Sequence, residues 1–315
     1  MSAPYPEAPF FQSLAQGDPN VQAHWLTTED GVRLRAAIWP LAGAQGTVLL
    51  FPGRTEYVEK YGEAARDLAL RGFATLAIDW RGQGLADRPL ADRMIGHVCD
   101  FHDYQADVRA LVTMAKDLNL PQPFYMLAHS MGGCIGLRSL INGLPVAAAA
   151  FSAPMWGIAI QPVLRPIARP LAAMLKVMGL GTRPAPGTSR NTYVAISPFE
   201  NNVLTKDAEM WRYMQRQVQE RPELALGAPS IGWVSAALAE CRSLALTPSP
   251  TVPVLTGLGS DERVVEKHPI SERMKRWRNA GFREYPNAEH ELMMEQPALR
   301  TQFFDDVAQL FAAHR

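Results

Sequence analysis

Cysteine is scarce. Only Cys99, Cys134 and Cys241 occur among 315 residues, an odd count with no C-x-x-C pair. That argues against a disulfide framework or a zinc site and fits a reducing compartment. An excess of charge is also missing, since Lys+Arg and Asp+Glu number 31 each. No overall field therefore draws the chain to nucleic acid or to an acidic partner. Long apolar runs are absent too. The greasiest stretch, Val163 to Leu180, is broken by Arg165, Pro166, Arg169, Pro170 and Lys176, whereas a membrane span needs ~20 uninterrupted apolar residues. The N-terminal stretch has prolines and Glu7 but no basic region followed by an apolar run. No signal peptide is visible, and a cytoplasmic location is expected. There are no internal repeats and no low-complexity tracts.

What is present is a hydrophobic content of 47%, enough for one large α/β domain carrying an insertion. Residues 1 to about 20 read as an arm on the domain. Beyond Asp30-Gly31, a hairpin-type turn, Val32, Leu34, Ala36 and Ile38 alternate with Arg33 and Arg35 as in a half-solvated strand. Buried strands are predicted at 47–51, 73–78, 124–128 and 146–151. Between them, helices are predicted at 58–70 and 103–118 from apolar residues at helical spacing. Alternating helices and apolar strands imply a mostly parallel sheet covered on both faces. The pattern changes after Ser152: residues 153–246 lack buried-strand runs and hold much of the proline. Alternation resumes with a strand at 252–258, a helix, a strand at 282–285 and a last helix from Pro297. The expected organisation is a core of residues 1–152 and 247–315 with an inserted, mainly helical cap at 153–246.

The centre of the pattern is Phe124-Tyr125-Met126-Leu127-Ala128-His129-Ser130-Met131-Gly132-Gly133. An apolar strand runs into a serine, and a helix follows whose first turn holds glycine. Strand, sharp turn and helix with a serine at the tip is a nucleophile elbow. Ala128 stands where G-x-S-x-G has its first glycine. The competing reading makes Ser130 an ordinary N-cap.

The surrounding motifs favour the elbow. Leu49-Leu50-Phe51-Pro52-Gly53-Arg54 and Ile78-Asp79-Trp80-Arg81-Gly82-Gln83-Gly84 precede it. Gly259-Ser260-Asp261-Glu262-Arg263-Val264-Val265 and Asn287-Ala288-Glu289-His290-Glu291-Leu292 follow it. In that order the chain resembles the α/β-hydrolase fold, in its lysophospholipase and monoacylglycerol lipase branch. It is most similar to bacterial lysophospholipase of the L2 type, through Pro52-Gly53-Arg54, Ala128 to Gly133 and Ala153-Pro154-Met155-Trp156-Gly157-Ile158. Two cap segments, Asn202-x-Leu204-Thr205-x-Asp207 and Gly227-x-Pro229-Ser230-x-x-Trp233, carry the same likeness.

Ester cleavage needs an activated nucleophile, and histidine has the right basicity to take a serine proton near neutrality. Of seven histidines, His290 lies between a short strand and the final helix, where the order Ser…Asp/Glu…His places the base. His129, His97 and His102 read as structural. For the acid, both Asp261 and Glu262 are candidates. Ungapped register on the D-R-V-V segment of the resembled family favours Glu262, whereas residue type favours Asp261. Asp79 is expected to pair with nearby backbone or an arginine. The resemblance implies an oxyanion hole from the backbone N–H groups of Met131 and Arg54. The Arg54 side chain is expected to meet either a substrate phosphate or a cap carboxylate. No metal or organic cofactor is called for.

Within the cap, Leu171, Met174, Leu175 and Met178 share one helical face, with Pro170 suited to a first turn and Gly179 to a stop. Arg165, Arg169 and Lys176 surround that face. It either rests on an anionic bilayer or, as is commoner, packs onto the core. Trp156 and Trp233 are read as scaffold or as substrate wall. The expected activity is hydrolysis of a lysophospholipid or monoacylglycerol ester. The alternatives are an esterase or thioesterase for small soluble substrates and a non-catalytic binder of the same fold.

Overall fold

The structure is a computed structural model that describes residues 5–160 and 165–315, with the side chains of Arg165, Pro166 and Ala168 also outside the description. Val163 and the surroundings of Arg165 therefore lie outside the described residues. Eight strands form one sheet: β1 (Gln22–Thr27), β2 (Arg33–Trp39), β3 (Thr47–Phe51), β4 (Ala74–Asp79), β5 (Phe124–His129), β6 (Ala149–Ser152), β7 (Val254–Gly259) and β8 (Ala280–Tyr285). Their order is β1-β2-β4-β3-β5-β6-β7-β8. β2 runs antiparallel to both neighbours, and every later pairing is parallel. The longer helices are α1 (Gly62–Ala69), α2 (Tyr104–Asp117), α3 (Met131–Ile141), α4 (Arg165–Leu175), α5 (Ala208–Glu220), α6 (Ile231–Leu246), α7 (Lys267–Arg276) and α8 (Pro297–Ala312).

Side chains alternate across a strand, so each central strand feeds two cores. Leu49, Phe51, Leu76, Ile78, Met126 and Ala128 join one core with residues of α2 and α3. Val48, Leu50, Ala77, Tyr125 and Leu127 join the other with residues of α1 and α8. This is the mostly parallel, doubly covered sheet that the alternation predicts. The strand expected at 146–151 starts later, at Ala149, because β6 pairs β5 only from Met126↔Ala149.

Between β6 and β7 the described chain is helical and adds no strand to the sheet. It is fastened to the core rather than perched on it. α5 contributes Met210, Trp211, Tyr213 and Met214 to the α1 and α8 core. α6 is tied to α3 by a buried pair, Arg138 Nε donating to Glu240 Oε1 at 2.7 Å. Asp207 caps α5 by accepting from the Glu209 and Met210 N–H groups, and Ser230 caps α6 through the Trp233 N–H. Both caps fall in the segments singled out by sequence.

Two expectations for α4 need correction. Pro170 lies inside the helix, which begins at Arg165, and Gly179 at φ +79° marks the break beyond it. The apolar face does not pack down: Leu171, Met174 and Met178 are exposed, and Val177 is 88% exposed. Among the described residues, no helix is long and apolar enough to cross a membrane.

Candidate active site

The C-terminal ends of β3, β5, β7 and β8 carry the four loops that build the site, as open parallel sheets generally arrange. Ser130 sits at the end of β5 with φ 48° and ψ −115°, a conformation that costs a non-glycine residue on the order of 1–3 kcal/mol. The strain is held by hydrogen bonds on both sides. The Ser130 N–H donates to Ser152 O at 3.1 Å, and its carbonyl accepts from Met155 N at 2.8 Å. The turn is so close to β3 that a Cβ on Gly132 would lie 2.1 Å from Phe51 O. Only glycine fits there, which is the crowding the motif implied. An ordinary N-cap would accept from the helix's first turn, but the Ser130 side chain makes no cap bond.

His290 and Glu262 meet. His290 Nδ1 is 2.7 Å from Glu262 Oε2, with both side chains buried. Glu262 Oε1 accepts from Val264 N at 2.6 Å and Val265 N at 3.0 Å, so the carboxylate is fully aimed. Burial works to raise the Glu262 pKa. The charge and hydrogen bond of His290, with those two N–H groups, nonetheless hold it below the usual carboxylate value. Asp261 points elsewhere: it is half-buried and bound to Lys206 and Ser260. The structure thus brings Glu262, and not Asp261, to the imidazole. The His290 loop is pinned by the segment 202–205, since Val203 O and Leu204 O accept from His290 N and Glu291 N.

The loop after β3 is held around Arg54. Gly53 N donates to Glu56, Thr55 N to Gln83 Oε1 at 3.0 Å, and Gly53 O accepts from Gln83 Nε2 at 3.0 Å. The N–H groups on either side of Arg54 are engaged, whereas neither Arg54 N–H nor Met131 N–H has an acceptor among the described residues. Both are left for a ligand. Asp79 helps to set this loop: it binds Arg35 at 2.8 Å and accepts from Val58 N at 2.9 Å, the pairing expected of it. Among the described residues the Arg54 side chain does not meet the cap carboxylate that was one of its two expected partners. Nη2 donates to Gly227 O at 2.7 Å, a carbonyl rather than a carboxylate.

A cavity of about 380 Å³ joins these loops, lined by Arg54, Ser130, His290 and an apolar set that includes Met155, Ile158, Leu204, Met214, Val218 and Val264. Trp233 is on its wall. Trp156 is not, which corrects its reading as substrate wall. Its Nε1 donates to Gly133 O at 3.1 Å and its ring packs against Phe151 and Trp277, so it buttresses the elbow helix.

Sequence reasoning missed the charged floor of this cavity. Lys60 Nζ bridges Glu56 at 2.8 Å and Glu291 at 2.7 Å, and Tyr61 also donates to Glu56. Glu56, His129 and Glu291 offer ligand atoms within 4.8 Å of one another, but the Lys60 ammonium fills the cation's place. The network joins the loop of Arg54 to the loop of His290. The usable signals were the i,i+4 spacing of Glu56 and Lys60 and the adjacency of Glu291 to His290.

His129 belongs to this floor, with Nδ1 3.0 Å from Ser152 O and its ring 4.8 Å from that of His290. Burial pushes its pKa from 6.5 down to about 3, partly offset by Glu56. An imidazole that stays neutral is unsuited to the role of base. The folded state refuses a proton that the unfolded chain accepts, so stability falls as pH drops from 6.5 towards 3. The slope is up to about 1.4 kcal/mol per pH unit. Urea unfolding between pH 6.5 and 5, above the ordinary carboxylate range, is expected to show this loss in the wild type and a flatter profile in His129→Gln. Parallel profiles would contradict it.

The chain is similar to proteins of known kind. It is 31% identical over 283 residues to lysophospholipase L2 of Escherichia coli strain K12, covering 85% of this chain and 80% of that one. A soluble variant of monoglyceride lipase from Saccharomyces cerevisiae, solved with a substrate analog, superposes with a TM-score of 0.70 at 20% identity over 99% of both chains. A thermostable carboxyl esterase from Bacillus coagulans superposes with a TM-score of 0.75 at 15% identity, over 93% of this chain and 98% of that one. The two structural likenesses establish the fold. Residues 42–297 match the family model described as serine aminopeptidase, S33, and with that match the chain belongs to this serine hydrolase family of the α/β-hydrolase fold.

Proposed function

We propose that the protein hydrolyses the carboxylic ester of a lysophospholipid or monoacylglycerol through an acyl-enzyme on Ser130, with residues 153–246 as a cap over the site. The observation that carries this reading is one apolar cavity shared by a strained serine and a histidine held by a buried glutamate. His290 Nε2 takes the Ser130 proton as Oγ attacks the acyl carbonyl. Glu262 fixes the tautomer through Nδ1 and stabilises the imidazolium. The Met131 and Arg54 N–H groups receive the oxyanion, and each such donor is typically worth about 3–4 kcal/mol. The imidazolium then gives its proton to the departing alcohol. Water, activated by the same imidazole, releases the fatty acid and restores Ser130. An apolar cavity and a cap that presents lipophilic side chains outward both suit a long acyl group.

The cap also supplies the surface from which such a substrate would arrive. Ile167, Leu171, Met174, Val177 and Met178 are exposed together. Between Pro154 and Phe199 the sequence has five basic residues and no Asp or Glu. In a chain of zero net charge, that local excess matches an anionic bilayer, with the apolar side chains entering the interface. On this reading the protein sits peripherally at the inner membrane surface.

The test is fatty-acid release from long-chain lysophosphatidylethanolamine and monoacylglycerol carried in anionic vesicles, with a Met174→Ser/Met178→Ser variant alongside. The wild type is expected to turn over at least one lipid. The variant should lose roughly tenfold on vesicles and keep its rate on a short soluble ester, as expected for the removal of about 1–2 kcal/mol of interfacial burial. Turnover of soluble esters alone would replace the lipid reading with that of a small-substrate esterase or thioesterase.

A further inference from the structure

Among the described residues, the cavity contains one cation without a counter-charge. Lys60 is neutralised by Glu56 and Glu291, and His290 faces Glu262. Arg54 has only carbonyl company. One Nη2 bond goes to Gly227 O at 2.7 Å, its guanidinium lies 5.2 Å from the Trp233 ring centre, and Nε is buried without a partner. No carboxylate pairs with it among the described residues. Burial, assisted by Arg88, lowers its pKa to about 10, so it remains charged near neutrality while poorly solvated. A desolvated guanidinium without an anion is costly, and its planar fork suits phosphate oxygens.

We propose that the Arg54 side chain is the subsite for the substrate's phosphodiester, and that it makes the enzyme prefer lysophospholipids to monoacylglycerols. This rests on the ester-hydrolase reading above. The placement follows from the backbone. The Arg54 N–H is one of two donors left free for the oxyanion, so the guanidinium of the same residue starts from the acyl carbonyl's position. An arginine side chain has about the reach of the glycerol spacer that separates an acyl ester from its phosphate. The Trp233 ring, 5.2 Å from the guanidinium, is within cation–π range of it.

Arg54 also helps to hold the cap, and Arg88 gives the control for that role. Arg88 Nη2 donates to Gly84 O at 2.9 Å and Ala225 O at 3.3 Å, two residues from the carbonyl that Arg54 holds. Arg88 does not line the cavity.

The experiment measures kcat and KM on matched long-chain lysophosphatidylethanolamine and monoacylglycerol for the wild type, Arg54→Gln, Arg54→Lys and Arg88→Gln. Melting temperatures are recorded for each. The ratio of kcat/KM, phospholipid over glycerol ester, is expected to fall about tenfold or more in Arg54→Gln, chiefly through KM, consistent with loss of a charge-assisted bond. Arg54→Lys should recover part of the ratio, whereas Arg88→Gln should leave the ratio unchanged even if it melts earlier. A loss in Arg54→Gln equal for both lipids would show that the side chain only holds the cap and would overturn the proposal. A wild type that cleaves both lipids without preference would overturn the proposal while the hydrolase reading stands. A wild type that cleaves neither lipid would overturn the lipid-ester reading and this proposal with it.

Discussion

Replacing Ser130 with alanine is expected to lower ester hydrolysis by on the order of 10⁴-fold or more, the scale seen when a triad nucleophile is lost. The fold should survive. The strained backbone is held by the Ser130 N–H and carbonyl bonds to Ser152 and Met155, and alanine keeps both. The turn's closest approach, at Gly132, is likewise untouched. A melting temperature near wild type with abolished turnover would separate chemistry from stability. Wild-type esterase activity in the alanine variant would remove Ser130 from the reaction.

The second large effect is expected at Glu262. Glu262→Gln should cut kcat by about 10³–10⁴-fold, because an amide can present its N–H to Nδ1 and favour the wrong tautomer. Its loss of charge also leaves the imidazolium unsupported. Asp261→Asn should change kcat by less than about threefold, since its carboxylate is turned away from the imidazole and spent on Lys206 and Ser260, and pairs near the surface contribute little. Comparing the two variants reads out the acid directly. A crippled Asp261→Asn beside an active Glu262→Gln would reverse the assignment, and with it the register argument drawn from Arg263-Val264-Val265.

The elbow was legible because its physics is local. An apolar strand, a serine and a glycine that no other residue can replace lie within ten consecutive positions. His290 and the loop of Glu262 were legible for a related reason, since chain order around a parallel sheet fixes which loops share its C-terminal edge. Glu262 needed register as well, because composition alone could not choose between adjacent acids. The Lys60 bridge was legible only in part. Its carboxylates stand four and 231 residues from Lys60, and only the folded sheet brings the distant one to it. α4 failed differently. Its apolar stripe is as regular as that of a core helix, and periodicity says which residues share a face without saying what covers it. Trp156 shows the same limit: an indole N–H within reach of the Gly133 carbonyl turned the ring into the scaffold.

The central claim is that Ser130 is a nucleophile activated by His290, and covalent capture tests it most directly. Purified protein would be treated with a fluorophosphonate, digested, and its peptides mapped by mass spectrometry. The expected result is one adduct per chain on Ser130, absent in Ser130→Ala and formed at least about 10²-fold more slowly in His290→Ala, in line with the usual worth of a general base. Labelling on another residue, or at an undiminished rate without His290, would contradict the account.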